Sequence, residues 1–161
     1  MTFQTVVNQQ PAPGVPGDFA SANPFASLLS GEGKNVAGAG GVIIGRFAWV
    51  DANGVVLNAG SGVPSGFVHN NHNAQIVTFL AEAGMTIQQG QPVNLMTAGD
   101  FWAQTSTAAT PGQKIFASNT TGAIQTGAAG ATIAGYTETK WAVPAGFSCA
   151  SGELVQLSTW V

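Results

Sequence analysis

Charge is what this chain has least of. Only 7% of its 161 residues are Asp, Glu, Lys or Arg, against about 25% in an ordinary soluble domain. The basic residues are Lys34, Arg46, Lys114 and Lys140, and the net charge is −3. No basic stripe exists to neutralise phosphates, so nucleic acid is not expected as a partner. A single cysteine, Cys149, excludes an intrachain disulfide and a thiolate zinc cluster. No apolar run approaches the length of a membrane span, so no membrane partner is expected either. The start, Met1-Thr2-Phe3-Gln4, has no basic n-region and no apolar h-region, and the expected place of synthesis is a cytoplasm.

Groups that could do chemistry are equally sparse. His69 and His72 stand in His-Asn-Asn-His with no cysteine or acid nearby in sequence to complete a metal site, which reads as a polar loop. Asp51 and Asp100 could be imagined as an acid–base pair, but each sits in a turn where Asp bonds its own backbone. Gly38-Ala39-Gly40-Gly41-Val42-Ile43 fails as a dinucleotide fingerprint, because Ile43 takes the third glycine position; it reads as a hinge. There is no Gly-x-Ser-x-Gly elbow, and Cys149 has no charged neighbour in sequence to lower its pKa. The expectation is no enzyme, no metal and no cofactor. Trp49 and Trp102 read as core, and Trp141 and Trp160 flank the last strands. Aromatics of this kind serve cores and protein interfaces, or form sugar platforms on a β face.

What the chain does have is proline, glycine and small neutral residues. Four of its eight prolines, Pro11, Pro13, Pro16 and Pro24, fall in one short stretch near the N-terminus. Proline fixes φ, removes a donor and pushes the preceding residue toward extended geometry, so the stretch is neither helix nor central strand. Phe3, Phe19, Phe25, Leu28 and Leu29 punctuate it, which a solvated linker would not need. Residues 1–40 therefore read as a stiff, extended arm with apolar anchors, built to lie along another surface: its own domain, a sister subunit or a larger lattice. The expected partner-binding residues are Phe3, Pro11, Pro13, Pro16, Phe19, Pro24, Phe25, Leu28 and Leu29.

Residues 41–161 read as one β domain with a single core. The stretch 42–50 is rich in β-branched and aromatic residues and runs into Asp51-Ala52-Asn53-Gly54, where Asn-Gly signals a hairpin. Residues 55–57 are the return strand. Further strands are expected at 67–69, 86–87, 93–96, 101–103, 113–117, 123–126, 132–139 and 154–160, with turn residues between them, and residues 74–83 read as a strand on Ile76, Val77, Thr78 and Phe79, with a short helix as the alternative because the stretch holds no breaker. Short strands punctuated in this way predict an all-β sandwich or barrel.

The ordered run of motifs adds a family. Ala12-Pro13-Gly14-Val15-Pro16-Gly17-Asp18-Phe19, Gly45-Arg46-Phe47-Ala48-Trp49-Val50-Asp51, Gly90-Gln91-Pro92-Val93, Gly99-Asp100-Phe101-Trp102-Ala103, Pro111-Gly112-Gln113-Lys114, Glu138-Thr139-Lys140-Trp141 and Gly152-Glu153-Leu154-Val155 follow in order. Together they resemble the structural cement, or head decoration, proteins of tailed bacteriophages. The resemblance implies a jelly-roll-like fold and a non-enzymatic protein of the virion. It implies binding to the major capsid protein on the outer surface of the head, across capsomer junctions, as a homodimer or homotrimer. The alternative class is a virion-displayed or secreted glycan-binding β-module.

Overall fold

Turn chemistry sets most of the element boundaries. The computed structural model describes residues 13–30, 35–71 and 84–161; the strand expected at 74–83 lies outside them. Among the described residues there are thirteen strands and no helix. In chain order they are β1 (Ala26–Ser27), β2 (Val36–Ala37), β3 (Val42–Ile43), β4 (Phe47–Val50), β5 (Val55–Leu57), β6 (Gly66–Val68), β7 (Thr86–Ile87), β8 (Leu95–Ala98), β9 (Asp100–Gln104), β10 (Lys114–Ser118), β11 (Ile124–Gly127), β12 (Tyr136–Ala142) and β13 (Leu154–Ser158).

The Asn53-Gly54 turn forms as expected. Asp51 Oδ1 accepts from the amides of Asn53 and Val55, both at 2.8 Å, and β5 returns against β4 with Trp49 opposite Leu57. The long strand expected at 42–50 does not form as one piece. It breaks at Gly45, whose φ of 75° lies in the left-handed region. A Cβ there would come within 2.5 Å of the Pro16 ring, so the arm itself occupies the space. The break sends β3 to pair with β7, while β4 enters the main sheet.

Two sheets make the body, a six-stranded one in the order β1-β8-β6-β4-β5-β2 and a five-stranded one in the order β11-β10-β12-β13-β9. Neither closes on itself, and the chain is an all-β sandwich. Phe47, Trp49, Phe67 and Met96 point from the larger sheet onto Phe101, Ile115, Trp141, Val155 and Leu157 of the smaller one. Their intervening neighbours Ala48, Val68 and Leu95 fill a second core on the opposite face, under Val42, Ile44, Val93 and Ile87. The single core expected from the sequence is thus two, because the larger sheet is apolar on both faces. Burying one such Phe or Leu side chain contributes roughly 1.5–3 kcal/mol.

One bent run of chain serves both sheets. β8 lies in the larger and β9 in the smaller, and Gly99 alone separates them, at a φ of 131°. The chain turns a corner there. Gly99 N–H donates to Thr159 Oγ1 at 2.9 Å, and Thr159 N–H donates to the Gly99 carbonyl at 3.2 Å.

Candidate functional site

The arm follows this bent strand in reverse. Gly17 N–H donates to the Trp102 carbonyl at 2.8 Å, Trp102 N–H to the Asp18 carbonyl at 2.9 Å, and Ala20 N–H to the Asp100 carbonyl at 2.9 Å. Residues 17–20 thereby extend the smaller sheet beyond β9, with Phe19 opposite Phe101. Past the corner, β1 joins the larger sheet. Ala26 stands opposite Ala98 and Ser27 opposite Met96, and Leu28 N–H donates to the Leu95 carbonyl at 2.8 Å. Of the three surfaces the sequence left open for the arm, residues 16–28 lie along their own domain. Phe3 and Pro11 fall outside the described residues.

At the corner, the arm's side chains take over from its backbone. Ser21 Oγ and Asn23 Nδ2 both donate to Asp100 Oδ2 at 2.6 Å. Asp100 was expected to bond its own turn, as Asp51 does. Instead, the corner presents its carboxylate to the arm. Burial pushes the Asp100 carboxyl up, but the side chains of Ser158, Ser21 and Asn23 outweigh it and hold the carboxyl below its ordinary value. Asp100 Oδ1 is buried and has no hydrogen-bond partner among the described residues.

The aromatic anchors divide into two kinds. Phe19 packs on the domain's own rings while staying 37% exposed: its ring lies 4.4 Å from His69, 4.8 Å from Phe25 and 5.0 Å from Phe101, centroid to centroid. His69 Nδ1–H donates to the Gly17 carbonyl at 2.8 Å, which fixes the tautomer and gives this histidine a structural task on the arm. His72 lies outside the described residues. Phe25 faces outward, 58% exposed, and Leu29 more so at 92%. Leu28, on the other face of the strand, packs on the second core. Trp160 Nε1–H donates to the Pro24 carbonyl at 3.1 Å, so the C-terminal Trp160 and Val161, both more than half exposed, stand beside the arm. Pro13 and Pro24 are exposed, and Pro16 rests against Gly45. A groove of about 190 Å³ beside this patch is lined by Ser21, Asn23, Asp100, Leu157 and Trp160. Nothing local in the sequence marks Trp160, Ser21 or Asn23 as parts of this surface, because the contacts span 77 to 136 residues.

The remaining candidates have structural surroundings. Trp49 and Trp141 are buried in the sandwich core. Trp102 points out of it and is covered by Gly14 and Phe147. Gly38 to Gly41 form a hydrogen-bonded turn against β5 and β7, not a loose hinge. Burial pushes the Cys149 thiol up, and the Glu153 carboxylate adds to that, outweighing the Ala109 backbone contact. Among the described residues, no group of three His, Cys, Asp or Glu side chains could hold a metal ion.

The comparisons agree with this architecture. No curated protein matched the chain. Among solved structures, a chain of "The capsid of Myoviridae Phage XM1" shares the fold, with a TM-score of 0.65 at 20% identity, covering 99% of this chain and 98% of that one. The sequence matches the XM1 gp53 minor capsid protein family over residues 3–159. The protein therefore belongs to the XM1 gp53 minor capsid protein family and is a structural, capsid-associated protein of a phage.

Proposed function

We propose that the chain is a decoration, or cement, protein that sits on the outer surface of the phage head across capsomer junctions and reinforces the mature shell. The observation that carries this reading is the arm. It is clamped to a rigid corner by backbone pairing, yet presents Phe25 and Leu29, with Trp160 beside them, as an uncharged outward patch. Between Asp18 and Glu32 the sequence contains no charged residue. Apolar side chains pre-set on a rigid frame lose little freedom on docking, so more of their burial appears as affinity. The partner is the major capsid protein, and the contact residues are Phe25 and Leu29, with Pro13, Pro24 and the preceding segment from Phe3 to Pro11. Pro16, Phe19 and Leu28 act from behind by holding the arm in place. A homodimer or homotrimer holding two or three capsomers at once gains avidity. The protein has no catalytic task in this reading. The glycan-binding alternative is less well supported, because three of the four tryptophans are buried and form no platform.

The test is head stability. Binding only the intact shell stabilises it by about 3–4 kcal/mol per site at a few hundred to a thousand times the dissociation constant. Heads stripped of the protein should release DNA at a lower temperature than decorated heads. Adding back the Phe25→Ser, Leu29→Ser variant should restore less occupancy and less heat resistance than wild type. Equal rupture temperatures for bare and decorated heads would refute the cement reading.

A further inference from the structure

Each sheet of the sandwich has two edges, and three of these four edges are covered. Residues 17–20 of the arm cover β9. Thr105 to Thr107 cover β11, through Ser106 N–H to the Ile124 carbonyl at 2.9 Å and Thr126 N–H to Thr107 Oγ1 at 2.9 Å. On β2, Ala37 N–H donates to the Gln91 carbonyl and Gly90 N–H to the Ala37 carbonyl. The fourth edge, β1, has nothing beyond it among the described residues. Edge strands that stay alone are usually blunted by shortness, charge, proline or a bulge aimed outward; β1 is two residues long, but its pairing with β8 continues through Leu28 N–H to the Leu95 carbonyl. The sequence from Phe25 to Ser30 has no charge and no proline, and the irregularity in β1 lies in its pairing with β8.

The alternation along this edge determines what fits it. Leu28 N–H points inward to Leu95, and Thr97 Oγ1 donates inward to the Ala26 carbonyl. The backbone groups of Phe25, Ser27 and Leu29 therefore point outward. An antiparallel strand centred on Ser27 would bond at these three positions. If that strand is the same segment of another copy, Ser27 meets Ser27 on the two-fold axis and Phe25 meets Leu29 of the second copy, twice. The two outward apolar residues of the segment thus stand side by side on one face of the joined sheet, whose outer side stays free for the shell, and no like charges oppose the approach.

We propose that β1 is a self-pairing edge, and that two copies of this chain join their six-stranded sheets through it in antiparallel register about Ser27. The exposed parts of Phe25, Leu29, Trp160 and Val161 amount to about 500 Å² per copy, with an aromatic side chain taken as about 150–250 Å². That is below the roughly 800 Å² per partner of a standard stable complex. The pair is accordingly weak in dilute solution and forms where copies are held close together, as on a lattice. This proposal rests on the arm being an interaction surface. Its cross-linking and sedimentation tests use no heads, so their failure is separable from failure of the cement reading.

The experiment takes the full chain carrying Cys149→Ser with Ser27→Cys and oxidises it at rising concentration. Facing bonded residues lie about 5.5 Å apart at Cα, within disulfide reach. A cross-linked dimer is expected, well in excess of that from a control with cysteine in place of exposed Ser151. Sedimentation up to roughly millimolar concentration, the range that tethering supplies, should show dimerisation for wild type. Leu29→Lys should weaken it about tenfold or more, since it places a charge in the pair without touching the core. Phe25→Lys with Leu29→Glu should recover dimerisation, because only this register sets opposite charges across the axis. Phe25→Lys with Leu29→Lys should stay monomeric. Cross-linking no greater than in the control, or dimerisation that survives the double lysine change, would overturn the proposal. So would a chain that stays monomeric to the highest concentration and gains amide protection at residues 25–29 only on heads, which would assign the edge to a shell segment instead.

Discussion

Replacing Gly99 with alanine loads the corner at three points at once. The backbone there has a φ of 131°, a conformation that side-chain-bearing residues adopt only with strain. The new methyl would sit 2.9 Å from the Phe101 ring and 3.0 Å from Phe25 Cβ. The strain costs about 1–3 kcal/mol, and the overpacking a further 1–3 kcal/mol or so. Neither side can give way at no cost: Phe101 is fully buried in the core, and Thr159 grips Gly99 through two hydrogen bonds from the other side. The softest element is Phe25, so the arm should move first. For a chain of this size, about 2–6 kcal/mol corresponds to a fall in Tm of roughly 5–20 °C. Gly112→Ala provides the comparison, because its φ is 79° and a methyl there meets nothing within 4 Å. It should cost only the backbone term, about 1–2 kcal/mol. Thermal melts of the three proteins, with limited chymotrypsin digestion to follow cleavage after Phe25, give both readouts. A Gly99→Ala protein no less stable than Gly112→Ala, or one whose arm is digested no faster than wild type, would refute the claim that the corner is sterically closed by the arm.

Asp100→Asn should loosen the arm's corner, and the pH profile should identify the carboxylate as the cause. The folded value lies below the ordinary 3.8, so the stabilisation is complete above that value and disappears as pH falls through the depressed one. The gap in Tm between wild type and Asp100→Asn should therefore close on acidification; a gap that persists or widens at low pH would rule out the carboxylate as its source. Cys149 should react with a thiol reagent more slowly than free cysteine at mildly alkaline pH, because burial and Glu153 both disfavour the thiolate. Unfolding in denaturant should abolish the difference, and equal rates in the folded protein would contradict the assigned environment.

Much of the sandwich is written locally. Asp51-Ala52-Asn53-Gly54 specifies its own hairpin, and the strands around Phe101, Ile115, Ile124 and Leu157 fall where alternating β-branched and aromatic residues place them. The failures share one cause, which is that the deciding contact is distant in sequence. Gly45 looks like an ordinary residue in a long strand until Pro16 is found against it. β1 and β2 are two residues each, too short to show a period, and exist because β8 and β5 receive them. The second core was missed because alanines and valines on the outer face of a sheet resemble polar-side fillers until β3 and β7 cover them. The candidate surface was half legible. Phe25 and Leu29 stood out as anchors in a proline-rich segment. That Phe19 packs on His69 and Phe101, that Asp100 bonds the arm, and that Trp160 stands beside Pro24 depend on partners no local pattern can supply.

The antiparallel course of the arm along the bent strand sets how it would carry load. A pull on the arm parallel to β9 stretches the backbone bonds of residues 17–20 together, since all of them lie across the line of force. Those bonds must then yield in concert and not in succession, which is the strong mode of a β ladder. A pull perpendicular to the sheet would instead peel them one at a time, beginning at Gly17. Stretched lengthwise, the arm behaves as a rivet set in shear; lifted, it behaves as a strip of tape.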